Sequence, residues 1–185
     1  LAPMASLYNY PYYVKHMEAY GLTKENDWIE IQIYPPQELP ERFGRMAKIV
    51  EQRSNVRVDK VKNVKELVRK YGISYMDVID VAYQKLYNFQ ALTDRQKHHY
   101  CDMYFPLLNF DFVTVVVNEN NEVVGVGVGM PDVSNALRKC KGKLFPLGWY
   151  HLLKALKSKT YEAFDLLLIA VRPDYKDRGL TVVII

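Results

Sequence analysis

The strongest candidate for a functional site in this sequence lies toward the carboxyl end of the chain. An apolar run, Leu166-Leu167-Leu168-Ile169-Ala170-Val171, leads into Arg172-Pro173-Asp174-Tyr175-Lys176-Asp177-Arg178-Gly179-Leu180-Thr181 and then Val182-Val183-Ile184-Ile185. The run suits a strand covered on both faces, and Pro173, which cannot donate to a ladder, ends it. Lys176 and Arg178 bring positive charge, and Gly179 permits a left-handed turn or a close backbone approach. If the chain turns helical from Leu180, its free N–H groups and positive dipole end point into the same space. Strand, basic glycine turn and helix start together can hold a pyrophosphate. The same residues also make an ordinary strand followed by a charged surface turn. The order of the elements before them favours the phosphate reading.

Other reactive side chains carry less. Cys101 and Cys140 have no metal-ligand spacing and form no disulfide framework, so a reducing, cytoplasmic setting is expected. On a helix His98 would share the face of Cys101 and His99 would not, and this pairing gives no strong case for a catalytic thiol. Metal ligation is not expected. Glu162 and Asp165 precede the strand and Asp111 opens another, but none is forced to face a site. His151 is a possible base, though a histidine on a helix surface is far commoner.

The elements that must position the turn read as follows. Phe112–Val117 is β-branched and apolar, a strand. Asn118-Glu119-Asn120-Asn121 is a turn cluster. Glu122–Gly129 is a second strand whose alternating glycines leave one face bare, for a bulge or a close-packed neighbour. Those glycines lie inside a strand and open no helix, so they are not a dinucleotide-binding fingerprint. Upstream, Val56–Val61 alternates as a strand. Asn63 with Glu66 opens a helix over Val64–Tyr71 that closes at Gly72. Ser74 is expected to cap the next helix, to about Leu86, and Thr93 with Gln96 opens another through Tyr104. Pro40–Val50 has apolar residues at helical spacing. Nearer the amino end, a helix from Asn9-Tyr10-Pro11 ends at Gly21. Trp28–Tyr34 then alternates as a half-buried strand, closed by Pro35-Pro36.

In this order of elements, V-x-P-x-Y-[KR]-x-[KR]-G-[IL] resembles motif A of the GNAT acyltransferase superfamily over roughly Asp111 to Ile185. That resemblance implies an α+β fold in α/β/α layers, with a mixed, mostly antiparallel central sheet. It implies acetyl-CoA or another acyl-CoA as co-substrate and a small-molecule amine or peptide as acceptor. Lys176, Asp177, Arg178, Gly179, Leu180 and Thr181 would hold the pyrophosphate. A backbone N–H near Ala170 or Val171 would polarise the thioester. The chain departs from the family at Lys176, where Gln or Arg is usual, and at Thr181, where Gly or Ala is usual. The helix-turn pattern around Gly21 resembles the closing elements of such a domain. The family's frequent acidic Tyr four residues before that glycine is here Met17, so the role is not carried over and no catalytic residue is assigned.

The expected organisation is therefore residues 1–53 as a helix-strand-helix segment like the close of one GNAT-like half, and 54–185 as the amino-terminal part of another. Residues 131–160 form a basic insertion of two helices, with Arg138, Lys139, Lys141, Lys143, Lys154, Lys157 and Lys159. It reads as a solvated insertion, a lid over the acceptor site, or a contact for an anionic surface. Six residues after Gly179 are too few for two helical turns, so an incomplete domain is expected, with an apolar end that invites a homodimer. The net charge of +4 in 185 residues argues for no nucleic acid but suits an anionic ligand. Fifteen tyrosines suit a tyrosine-rich core or groove. No run approaches a membrane span, and Leu1-Ala2-Pro3 does not open a signal peptide. The competing expectation is a GNAT-like module without catalysis that serves association or ligand binding.

Overall fold

The computed structural model of the chain describes residues 9–34, 36, 38–158 and 163–185. The readings made above of Leu1–Pro3, Pro35, Lys159 and Glu162 lie outside the described residues. The elements run α1 (Tyr12–Ala19), α2 (Glu41–Ser54), β1 (Val56–Asp59), α3 (Val64–Tyr71), α4 (Ser74–Tyr83) and α5 (Asp94–Tyr104). After these come β2 (Val113–Asn118), β3 (Val123–Pro131), α6 (Ser134–Lys139), α7 (Gly148–Leu156), β4 (Phe164–Val171) and α8 (Thr181–Ile184). The fold is α+β. The four strands lie in sequence order, and every neighbouring pair is antiparallel. The expected mixed sheet is thus corrected to an antiparallel one among the described residues, because each connection returns the chain beside its predecessor in the opposite sense.

Two apolar clusters cover the two faces, giving helix, sheet and helix layers. On one face Leu67, Tyr71, Tyr75, Val78, Ile79 and Phe105, from α3 to just past α5, pack on Val113, Val115, Val117, Val126 and Val128. On the other, α2 and α8 cover Val56, Val116 and Val124 with Val50, Leu180 and Ile184. The bare face of β3 finds its neighbour here. A Cβ at Gly125 would lie 3.2 Å from Ile184 Cδ1, and one at Gly127 would collide with Ile184 Cγ2. The glycines let the short helix α8 sit directly on the strand backbone. The β2–β3 register also shifts by one residue at Val116/Val117, so Val124 stands unmatched in a bulge.

Local signals explain the starts of α3 and α5 and the close of α3. Asn63 Oδ1 accepts from Glu66 N at 3.0 Å, and Thr93 with Gln96 forms a complete capping box. Gly72 closes α3 with φ 54°. Ser74 is not a cap. Ile73 takes that position, and its carbonyl accepts from Met76 and Asp77, because only two residues separate α3 from α4. Helix α4 stops at Tyr83, short of Leu86, and Phe112 belongs to a 3-10 turn before β2. Lys97 joins α5 to α4 through Asp77 at 2.7 Å and Asp80 at 3.4 Å, and Asp80 accepts from Leu92 N at 2.9 Å.

The amino-terminal region differs from this core. Helix α1 buries no residue. Trp28–Tyr34 pairs with no strand, with Trp28 76% and Ile29 83% exposed, so the expected half-buried strand is absent among the described residues.

Candidate functional site

Strand β4 pairs with β3 on one side, and among the described residues its other edge carries no strand. Two bonds fix which backbone groups face that edge. Arg172 N donates to Val124 O at 2.8 Å, toward β3. Tyr83 Oη meets the backbone of Ile169 on the opposite side, donating to its carbonyl at 3.2 Å and accepting from its N–H at 3.3 Å. In an antiparallel strand these directions alternate. Ala170, opposite Val126, therefore bonds within the ladder and is buried, whereas Val171 turns its N–H and C=O to the open edge.

Beyond Val171, Pro173–Arg178 form a 3-10 turn. Its i→i+3 bonding opens with Tyr175 N donating to Arg172 O at 2.9 Å and closes on Gly179. Gly179 follows at φ 78°, in the left-handed region that a side chain resists. Fully buried Leu180 then pins the loop into the second core cluster. Among the described residues, the N–H groups of Leu180 and Thr181, at the start of α8, donate to no backbone carbonyl. The turn thus offers consecutive unused amides on an anchored loop, with the exposed Lys176 side chain beside them.

The charges around the turn have defined places. Two guanidiniums lie against the Tyr175 ring, Arg178 at 4.3 Å and Arg172 at 5.1 Å from its centroid. Arg172 also grips Asp174 at 2.7 and 2.9 Å and reaches Glu122 at 3.3 Å. These bonds, Asp174 foremost, hold Arg172 above its ordinary pKa. The hydrogen bond from Asn118, then that from Arg172, hold Glu122 below the ordinary carboxylate value. Arg172 is therefore committed to the loop's shape, while Lys176 and Arg178 are exposed to solvent.

A cavity of about 430 Å³ adjoins Arg172 on the α3–α4 side, lined also by Tyr71, Asp77, Val78 and Glu122. A second, of about 650 Å³, lies under α6 and α7 and takes in His151, Lys139 and Lys154. It borders Ala163, at the far end of β4. Eight strand residues, roughly 25 Å, separate it from Val171, so His151 and the basic insertion stand apart from the turn. Asp111 sits in the 3-10 turn before β2, also away from it. Burial first, then Asp132 and Glu30, push the Asp165 carboxyl above its ordinary value. Burial, with Asp102 second, pushes the Cys101 thiol up to about 11, which keeps it protonated and poorly nucleophilic near neutrality.

Sequence reasoning missed Tyr83. Burial raises its pKa, so the phenol keeps its proton, and its hydroxyl stands one residue pair from Val171 on the open edge. The available signal was the spacing of Tyr75, Ile79 and Tyr83, one face of α4, which aims the last of them at β4. Among the described residues no cluster of His, Cys, Asp or Glu is arranged to hold a metal ion, and no helix is long and apolar enough to cross a membrane. No protein-family model matches the chain, and no curated protein matches it.

Proposed function

We propose that this chain carries the acyl-CoA site of a GNAT-type N-acyltransferase that moves an acetyl group to an amine. The observation that carries the reading is the pair of unused amides at Leu180 and Thr181 after the left-handed Gly179, held by buried Leu180 at the end of a strand whose free edge begins at Val171. Those amides and Lys176 hold the pyrophosphate. The pantetheine arm lies along the open edge, where the Val171 N–H donates to the thioester carbonyl as negative charge develops there. The amine enters through the cavity beside Arg172, loses its proton to water and attacks the carbonyl carbon. The tetrahedral intermediate collapses with cleavage of the C–S bond, and Tyr83 is the group placed to protonate the departing thiolate. Orientation of the two reactants supplies much of the rate.

Two observations favour a second reading, a GNAT-like module for association or ligand binding without catalysis. Tyr83 already occupies both backbone groups of Ile169, and Thr181 adds a branched side chain where the diphosphate approaches. Calorimetric titration with acetyl-CoA decides between them. The enzyme reading expects saturable heat that falls at least tenfold in affinity with Lys176→Ala. Absence of heat and of any thermal shift at millimolar acetyl-CoA leaves only the second reading.

A further inference from the structure

The positive charge of the chain is gathered in one place. Residues 133–158 hold Arg138, Lys139, Lys141, Lys143, Lys154 and Lys157 and no Asp or Glu. These six charges against a chain total of +4 leave the rest of the chain at −2. All six side chains are exposed. Among the described residues none of them forms an ion pair with a carboxylate, and Arg138 donates to Asn135 at 3.3 Å instead. The same segment exposes large apolar side chains. Between α6 and α7 the loop carries Phe145 at 81% and Leu147 at 65% exposed, beside Leu144. That loop is closed on itself. Trp149 N donates to Leu144 O at 3.0 Å, and the Trp149 indole donates to Pro146 O at 3.0 Å. Gly148 lies so close to the Lys143 carbonyl that a Cβ would collide with it. The tip is thus pinned with Phe145 and Leu147 outward, next to Lys143.

Helix α7 continues this surface. At roughly 3.6 residues per turn, Trp149, Leu153, Lys157, Tyr150 and Lys154 fall in that order within about 140° of its circumference. All five are exposed, while Leu152, Ala155 and Leu156, partly buried, take the other side. Apolar bodies interleaved with lysines, and no carboxylate among them, suit a partner that is anionic at its surface and hydrocarbon beneath. We propose that α6, α7 and the loop between them dock on an anionic lipid bilayer. Phe145 and Leu147 enter the acyl boundary, Trp149 and Tyr150 lie at headgroup level, and the lysines meet the lipid phosphates and carboxylates. Nucleic acid would engage the cations and aromatic rings but has no place for Leu144, Leu147 and Leu153. A second copy of this chain on the same face would set like charges against each other. The surface stands at the far end of β4, roughly 25 Å from Val171. Docking leaves the glycine turn free and needs no acyl-CoA, so it stands or falls apart from the function proposed above.

Cosedimentation of the full chain with vesicles tests it. Vesicles of about 3:1 phosphatidylcholine to phosphatidylserine should carry the chain down, and phosphatidylcholine alone should not. High salt should weaken the binding. In Trp28→Phe, Trp149 is the only indole left, and its emission should move to shorter wavelength with the anionic vesicles. Phe145→Ser with Leu147→Ser should weaken binding by roughly tenfold or more. Lys141→Glu with Lys143→Glu should weaken it at least as much. Both pairs lie on the surface, so their thermal unfolding should follow that of the unaltered chain. No binding of the unaltered chain to the anionic vesicles overturns the proposal, and so does binding that both variants leave unchanged. Binding to a single-stranded RNA oligonucleotide in place of the vesicles, or a dimer formed through this face instead, overturns it as well.

Discussion

β3 and the Trp28–Tyr34 segment are both alternating, apolar and strand-competent, yet β3 is buried along nearly its whole length and the segment is almost wholly exposed. The difference does not lie in the alternation. β3 lies between two strands that satisfy both of its backbone edges, and Leu67, Tyr75 and Ile184 are present to cover its faces. The segment has the pattern without the neighbours. Periodicity states what a stretch can become, while burial depends on a surface elsewhere in the chain that matches it in length and direction.

The contrast can be broken from either side. Leu67→Ala, in the fully buried core, should cost about 2–5 kcal/mol in denaturant unfolding, whereas Tyr20→Ala, at a residue 91% exposed, should stay within about 0.5 kcal/mol. Comparable losses at both sites would mean that the amino-terminal region shares the core's cooperativity. Lys97→Met comes next. It strands Asp80 without its buried cation and should cost about 2–3 kcal/mol, discounted because Asp77 is half exposed. Asp77 chiefly, by its hydrogen bond, raises the folded pKa of Lys97. Its contribution is therefore complete below the unfolded lysine value near 10.4 and is lost as pH rises through the folded one. Unfolding curves of the two proteins should thus converge in strong alkali and stay apart at pH 7.

Gly127→Ala sharpens the comparison at the strand itself. The added methyl meets Ile184, so a loss of about 1–3 kcal/mol is expected, and Ile184→Ala in the same chain should recover part of it. If Gly127→Ala is silent alone, α8 is not seated on β3. The smallest effect is expected at Asp165, whose carboxyl is raised mainly by burial. Because the folded state holds that proton more tightly, this group gains stability as pH falls through the folded value. Asp165→Asn should raise Tm slightly at pH 7, and the gain should fade in acid. A gain that persists at pH 3 would assign it to something other than charge.

Much of this arrangement was legible in the residues. The β-branched run at Val113–Val117, the Thr93–Gln96 capping box, Gly72 and the two helices of the insertion are local signals with local causes, and each stands where its residues place it. The glycine turn was legible too, since Gly179 adopts the left-handed conformation its type suggests. What could not be read was long-range. Nothing in Trp28–Tyr34 states that no ladder awaits it. Ser74 looks like a cap until the two-residue link from α3 is known. Tyr83 becomes important only because α4 lies against Ile169, 86 residues along the chain. Nor does the motif tell Ala170 from Val171. The register against β3 turns one inward and the other to the open edge.

The proposed acyl-CoA site rests on the amides after Arg178 holding the diphosphate. Backbone amide spectra during acetyl-CoA titration test it most directly. The signals of Gly179, Leu180, Thr181 and Val171 should move first and furthest, saturating together, with Lys176→Ala weakening them in parallel. Unmoved signals at these residues, or shifts centred on α6 and α7 instead, would contradict it.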